Sequence, residues 1–239
     1  MQPNGMIFWD WNGTLMDDVD FTHSCLNWML EIHGYPQRYD LAAYRELFGF
    51  PIEDYYRCAG FDFARHPYPE LAARFMEHYN AGVPGCAVTA HAVDTLQTLA
   101  RMGWQQAVLS ASRRDYLIEQ VSARGLQGFF TELLGLADIY GVSKVQLGTD
   151  YLCRTGIDPA QYNADYLNNL ALCTRTIDGA DELCRFIHEN GVLIIATNGV
   201  SATQHRRIAA SGLEPWLDKV VVSDDAGAEQ PDPRYLERA

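Results

Sequence analysis

The sequence predicts an α/β fold: a doubly wound, mostly parallel Rossmann-like sheet with a block of helices inserted into it. Three observations carry this. The apolar run Met6-Ile7-Phe8-Trp9 is too short for a helix and stops at a carboxylate, Asp10, with Asn12 and Gly13 punctuating the turn beyond it. Apolar runs at 106–109, 132–136 and 192–196 alternate with segments of helical period, the order that builds parallel sheets. Between the first run and the second lies a long stretch with helical pattern and no strand signal.

In chain order, Val19, Leu26, Met29 and Leu30 fall on one face of a helix that Gly34 stops. Segments 39–48, 52–59 and 68–81 read as three more helices, with Pro51 and Pro67 near the starts of the last two, where proline is tolerated. A helix over 90–102, closed by Gly103, leads to the strand 106–109, which ends at Ser110-Ala111-Ser112. A helix over 113–124 follows, and a serine in that loop is also an ordinary N-cap for it. Then come Gly125-Leu126, the strand 132–136, and Lys144 at the start of another helix.

The second half repeats part of the first. At an offset of 87 residues, Asp94 falls on Asp181, Leu96 on Leu183, Ser110 on Thr197, Gly125 on Gly212, Leu126 on Leu213 and Phe129 on Trp216. Each copy reads helix, strand, Ser/Thr loop, helix, Gly-Leu, aromatic, strand. In this register the run 220–225 lies opposite 133–138, so Asp224 and Asp225 are not read as metal ligands even though they end an apolar strand.

Composition narrows the class. Apolar residues make up 48% of the 239, enough for a sizeable core. A net charge of −13 argues against a nucleic-acid partner, because phosphate backbones need a basic face. The six cysteines include no Cys-x-x-Cys pair and read as reduced thiols of a cytoplasmic protein rather than a zinc site. No leader with a basic end and apolar centre precedes Asp10, and no apolar run approaches ~18 residues, so a soluble chain without a membrane partner is expected.

A carboxylate at the carboxyl end of a buried strand sits where open α/β sheets place their ligands, and Asp10 there can act as a nucleophile. The string from Met6 to Thr14 resembles the first signature of the haloacid dehalogenase-like phosphohydrolases, Asp-x-Asp-x-Thr after an apolar strand. Ser110 and Lys144 match the second and third signatures. The resemblance implies an aspartyl-phosphate intermediate on Asp10, with Asp10, Asn12 and Lys144 as the catalytic set. It implies Mg²⁺ held by Asp10 and the Asn12 carbonyl, and phosphoryl oxygens held by Thr14, Ser110 and the Ala111 amide. Residues 17–88 look like the helical cap of the phosphoglycolate phosphatase-like members, inserted into a core of 1–16 and 89–150. Residues 151–239 look like a second, partial core: Thr197-Asn198-Gly199 is similar to the middle of a pyrimidine 5′-nucleotidase-like member, with Gln230 where that branch has a lysine.

Two departures matter. The family's acid/base Asp is Asn12, which cannot shuttle a proton. The fourth, metal-binding signature is absent. The expected function is a Mg²⁺-dependent phosphomonoester hydrolase acting on a small phosphorylated substrate. The alternative is a catalytically impaired relative that binds a phosphorylated ligand or a protein. Phosphonate cleavage needs a cap lysine, and there is none between Asp18 and Val88. A sheet lacking its last strands leaves an edge, from which a homodimer is an expectation.

Overall fold

The computed structural model describes residues 5–140, 144–230 and 232–237. Gly141, Val142 and Ser143, which precede Lys144, lie outside them, as does Pro231. The chain divides into two compact units, Met1–Tyr151 and Leu152–Ala239.

In the first unit, β1 (Met6–Trp9) is followed by the two-residue β2 (Met16–Asp17) and then by four helices: α1 (Val19–Ile32), α2 (Leu41–Leu47), α3 (Ile52–Cys58) and α4 (Tyr68–Gly82). The short β3 (Ala87–Val88) closes this insert by pairing antiparallel with β2, Met16 opposite Val88. The hydrophobic pattern predicts no strand here. A two-residue ribbon is too short to show an alternation, so it leaves no trace in the sequence.

The insert has its own core, in which Leu26, Met29 and Leu30 of α1 meet Tyr44, Tyr55, Tyr56 and Leu71. Of the positions that mark α1 as amphipathic, Leu26, Met29 and Leu30 are buried and Val19 is half-buried against the same cluster. Asp40 caps α2 through its carboxylate, which accepts from Ala43 N at 2.8 Å.

After α5 (Ala92–Arg101), β4 (Gln105–Arg113) lies parallel to β1 on one side and to β5 (Glu132–Leu136) on the other, giving the order β1-β4-β5. The β4–β5 crossover runs through α6 (Arg114–Ala123). A second core joins Trp11, Leu15, Met16 and Leu96 to Val108, Leu117 and Leu133.

Here the structure differs from the pattern reading in one informative way. The strand does not stop at Leu109 but continues to Arg113, with its register broken between those residues by an irregularity. Ser110 therefore caps no helix: α6 starts after Arg113 with no side-chain cap, and Ser110 Oγ instead accepts from Ser112 N at 3.0 Å. Gly135 makes room for this bend, because a Cβ there would lie 2.7 Å from Arg114 Cα and 2.8 Å from the Ser112 carbonyl oxygen. Polar residues inside a distorted strand look like a loop in the sequence.

Helix α7 (Val145–Arg154) leads to the second unit, where α8 (Pro159–Leu172) packs against α10 (Ser201–Ser211). Between them come α9 (Ala180–Asn190) and β6 (Ile194–Thr197). The unit ends with β7 (Lys219–Val222), α11 (Ser223–Ala226) and α12 (Pro233–Leu236). β6 and β7 form a parallel pair with Ile194 opposite Lys219, the same register at the same offset as Ala107 opposite Glu132. The single turns at Gln127–Phe129 and Glu214–Trp216 coincide as well. The internal repeat read from the sequence is thus a repeat of strand-helix-strand geometry. Asp224 and Asp225 fall in α11: Asp224 accepts from Ser201 N at 3.0 Å, and His205 Nε2 lies 3.2 Å from Asp225.

Candidate active site

The parallel register between β1 and β4 sets the site. Trp9 pairs with Val108, so the residues just beyond them, Asp10 on one strand and Ser110 on the other, emerge at the same sheet edge. Asp10 Oδ1 accepts from Trp11 N at 3.0 Å and from Lys144 Nζ at 2.7 Å. The pair is partly open to solvent, with side-chain exposures of 47% for Asp10 and 34% for Lys144. Lys144 is one of only two lysines in the chain. Its backbone carbonyl accepts from Gly148 N, so it is held at the first turn of α7.

Asn12 lies at the centre of a polar network. Its Nδ2 donates to Asp18 Oδ2 at 2.9 Å and to Tyr79 Oη at 2.8 Å, while its Oδ1 accepts from Ser112 Oγ at 2.7 Å and lies 3.5 Å from Ser110 Oγ. Asp18 is 3% exposed and accepts two further hydrogen bonds, from Tyr79 Oη at 2.5 Å and from Gly13 N at 2.7 Å. Gly13 takes φ +68°, the left-handed conformation that aims its N–H at Asp18. Burial, and then the Asp18 charge and hydrogen bond, push the Tyr79 hydroxyl far above the ordinary phenol value, so it stays a donor.

Of the residues the sequence singles out, Asp10, Asn12, Ser110, Ala111 and Lys144 line one pocket of about 200 Å³. Thr14 does not join them; it is exposed in the turn, outside the lining. Sequence reasoning missed Asp18, Tyr79 and Ser112. Asp18 had a weak signal, as the second of two acids directly before an amphipathic helix. Tyr79 had none, because only the packing of α4 on α1 brings it there.

The donor set sets limits on a cation. Asp18 already accepts from three donors, and among the described residues no group of three or more His, Cys, Asp or Glu side chains could hold a metal. What remains is the free oxygen of Asp10 and the main-chain carbonyl of Asn12. Mg²⁺ often takes only one or two carboxylates together with substrate phosphate and water, so these residues fit an ion that arrives with the phosphate.

Comparison with known proteins gives the family and the fold. The family model for haloacid dehalogenase-like hydrolases matches residues 6–239. The pyrimidine 5′-nucleotidase YjjG of Escherichia coli (strain K12) is 30% identical over 86 residues, 36% of this chain and 38% of that protein. The pyrimidine 5′-nucleotidase PynA of Streptococcus pneumoniae (strain ATCC BAA-255 / R6) is 36% identical over 70 residues, 29% of this chain and 30% of that one. The matched stretches thus span well under half the length of these relatives. Among solved structures, the haloacid dehalogenase-like protein SP0104 from Streptococcus pneumoniae superposes with TM-score 0.55 at 13% identity, over 90% of this chain and 92% of that chain. A predicted phosphoglycolate phosphatase from Haemophilus somnus 129pt gives TM-score 0.52 at 15% identity, over 93% and 84%. These two likenesses are of fold. A parallel sheet with a helical insert, an aspartate at its carboxyl edge and a family match across nearly the whole length lead to one conclusion: the chain belongs to the haloacid dehalogenase-like hydrolases.

Proposed function

We propose that this chain is a phosphomonoester hydrolase that works through an aspartyl phosphate on Asp10. The observation that carries this reading is the Asp10–Lys144 pair at the mouth of the pocket, with one carboxylate oxygen tied to the ammonium and the other open. Asp10 attacks phosphorus and the leaving oxygen departs; water then hydrolyses the acyl phosphate and restores the carboxylate. Lys144 pairs with Asp10 and neutralises the incoming phosphoryl charge. In this reading the hydroxyl of Ser110 and the amide of Ala111, both in the pocket lining, hold phosphoryl oxygens, while the exposed Thr14 would have to act from outside the lining. Asp10 and the Asn12 carbonyl would hold Mg²⁺, which when bound supplies charge neutralisation at the phosphoryl oxygens. We further propose that residues 17–88 act as a cap over a core of 1–16 and 89–150, with 151–239 a partial second core.

The test is phosphate release from a simple aryl phosphate with Mg²⁺ and with chelator. Release that chelator abolishes is expected. Release that persists in chelator would remove Mg²⁺ from the reading. No release from a folded sample would leave the alternative, a binder of phosphorylated ligands.

Asn12 itself gives a prediction. In Asn12→Asp, a carboxylate replaces an amide that donates to Asp18 at 2.9 Å, so two carboxylates face each other. Like charges this close share a proton, and the pair takes it up at a pH above the usual carboxylate range. A pKa raised in the folded state stabilises below that of the unfolded chain and is lost as pH rises. The variant should therefore be less stable than wild type near pH 8, by about 1–3 kcal/mol, and recover towards pH 5. Urea denaturation at both pH values measures it.

A further inference from the structure

We infer that the substrate is a phosphate ester of a one-ring phenol, an inference that rests on the hydrolase reading above. Two independent observations lead to it. The first is the pocket. Phe48, Phe50, Tyr55, Tyr56, Phe75 and Tyr79 line the same pocket as Asp10 and Lys144, all of them from the helical insert. Among the described residues the insert contributes no Lys, Arg or His to this lining, so nothing there holds the carboxylate of a small acidic alcohol. Arg113 also lines the pocket, but its guanidinium is held by both oxygens of Asp115 at 2.6 Å and lies over the Tyr116 ring at 3.9 Å. The lining tyrosines stay neutral, since burial raises Tyr55 and Tyr56 far above the ordinary phenol value. Size is compatible with this: an apolar cavity of about 150 Å³ accepts a benzene molecule, so the ≈ 200 Å³ here has room for one ring.

The second observation is Asn12. Cleaving the P–O bond leaves the electron pair on the departing oxygen. An aliphatic alkoxide, whose alcohol ionises close to water at about 16, needs a proton delivered in the transition state. A phenoxide, whose phenol ionises near 10, leaves without one and takes its proton from solvent afterwards. Asn12 has no proton to deliver, and its amide is already committed to Asp18 and Tyr79. The aromatic lining and the missing acid therefore select the same leaving group: flat, apolar and weakly basic. The electron count closes on Asp10 and one water: Asp10 takes the phosphoryl group, the phenoxide leaves, and water releases inorganic phosphate.

The experiment compares kcat/KM for phenyl phosphate, benzyl phosphate, 2-phosphoglycolate and uridine monophosphate. Phenyl and benzyl esters place the same ring in the pocket and differ in the basicity of the leaving oxygen. Phenyl phosphate is expected to exceed each of the others by at least about 100-fold, in line with what general acid catalysis contributes. In Asn12→Asp the gap between phenyl and benzyl should narrow below neutrality. Phe50→Asp, at an exposed position on the pocket rim where folding is not at stake, should lower the preference for phenyl phosphate over 2-phosphoglycolate. Equal or faster turnover of benzyl phosphate, 2-phosphoglycolate or uridine monophosphate overturns the inference. If no ester is cleaved, the hydrolase reading fails by itself, and the pocket is read by calorimetry. Phenylphosphonate binding at least tenfold tighter than methylphosphonate then supports an aromatic phosphoryl ligand, and equal or absent binding overturns it.

Discussion

Asp10→Asn is expected to lower phosphate release by roughly 10⁴- to 10⁶-fold, the scale on which losing a nucleophile acts. An amide oxygen is a poor nucleophile and cannot form an acyl phosphate that water would open. The fold should survive. Asp10 is half exposed, and its structural contacts are an acceptor role towards Trp11 N and a direct, partly exposed ion pair with Lys144. Asparagine keeps the first, and a partly exposed ion pair contributes at most about 1 kcal/mol. The urea midpoint of the variant should therefore lie close to that of wild type while activity disappears. Activity within tenfold of wild type would place the chemistry elsewhere in the molecule.

The largest effect on stability is expected from Asp18→Ala. One buried carboxylate accepts from Asn12 Nδ2, Tyr79 Oη and Gly13 N, and truncation leaves three donors facing an empty space. Removing one member of a buried charged network costs about 3–5 kcal/mol, because the partners keep their desolvation cost and lose their bonds. Tyr79→Phe removes the donor to Asp18 and the acceptor of one Asn12 N–H but leaves the carboxylate with two donors, and should cost about 2–3 kcal/mol. Denaturant unfolding followed by tryptophan fluorescence reports on the right region, since Trp11 is fully buried and donates to Gln120 Oε1 at 2.9 Å. A loss below 1 kcal/mol in Asp18→Ala would mean that water replaces the carboxylate without penalty.

The second variant also shows which features the sequence could reveal. Asp10, Ser110 and Lys144 are legible because each sits at a boundary that local pattern marks: a strand end, a strand bend and a helix start. The meeting of Asp10 and Ser110 follows from the parallel pairing of β1 with β4, which the alternation of strands and helices predicts. The environment of Asn12 is not legible. The sequence reads Asn12 as an acid that has been lost; in the structure the amide donates to a buried carboxylate and a tyrosine, as a carboxylate could not. That role depends on Tyr79, far along the chain on α4, and on Asp18 turning its side chain back to the loop instead of capping α1. Long-range side-chain networks leave no periodicity. The irregular end of β4 was hidden for a related reason: Ser110-Ala111-Ser112 has the composition of a loop although the backbone remains strand.

The matched register of β4–β5 and β6–β7 has a consequence for how the chain encodes its own geometry. The two crossovers differ in most of their residues, yet each carries the same number between its paired positions, Ala107 to Glu132 and Ile194 to Lys219. The connection behaves as a ruler: its length, more than its lettering, sets which residue meets which. A strand read one step out of phase turns every side chain to the opposite face. Substitutions on the exposed faces of α6 or α10 leave that spacing unchanged, whereas a single inserted or deleted residue there shifts the whole strand that follows.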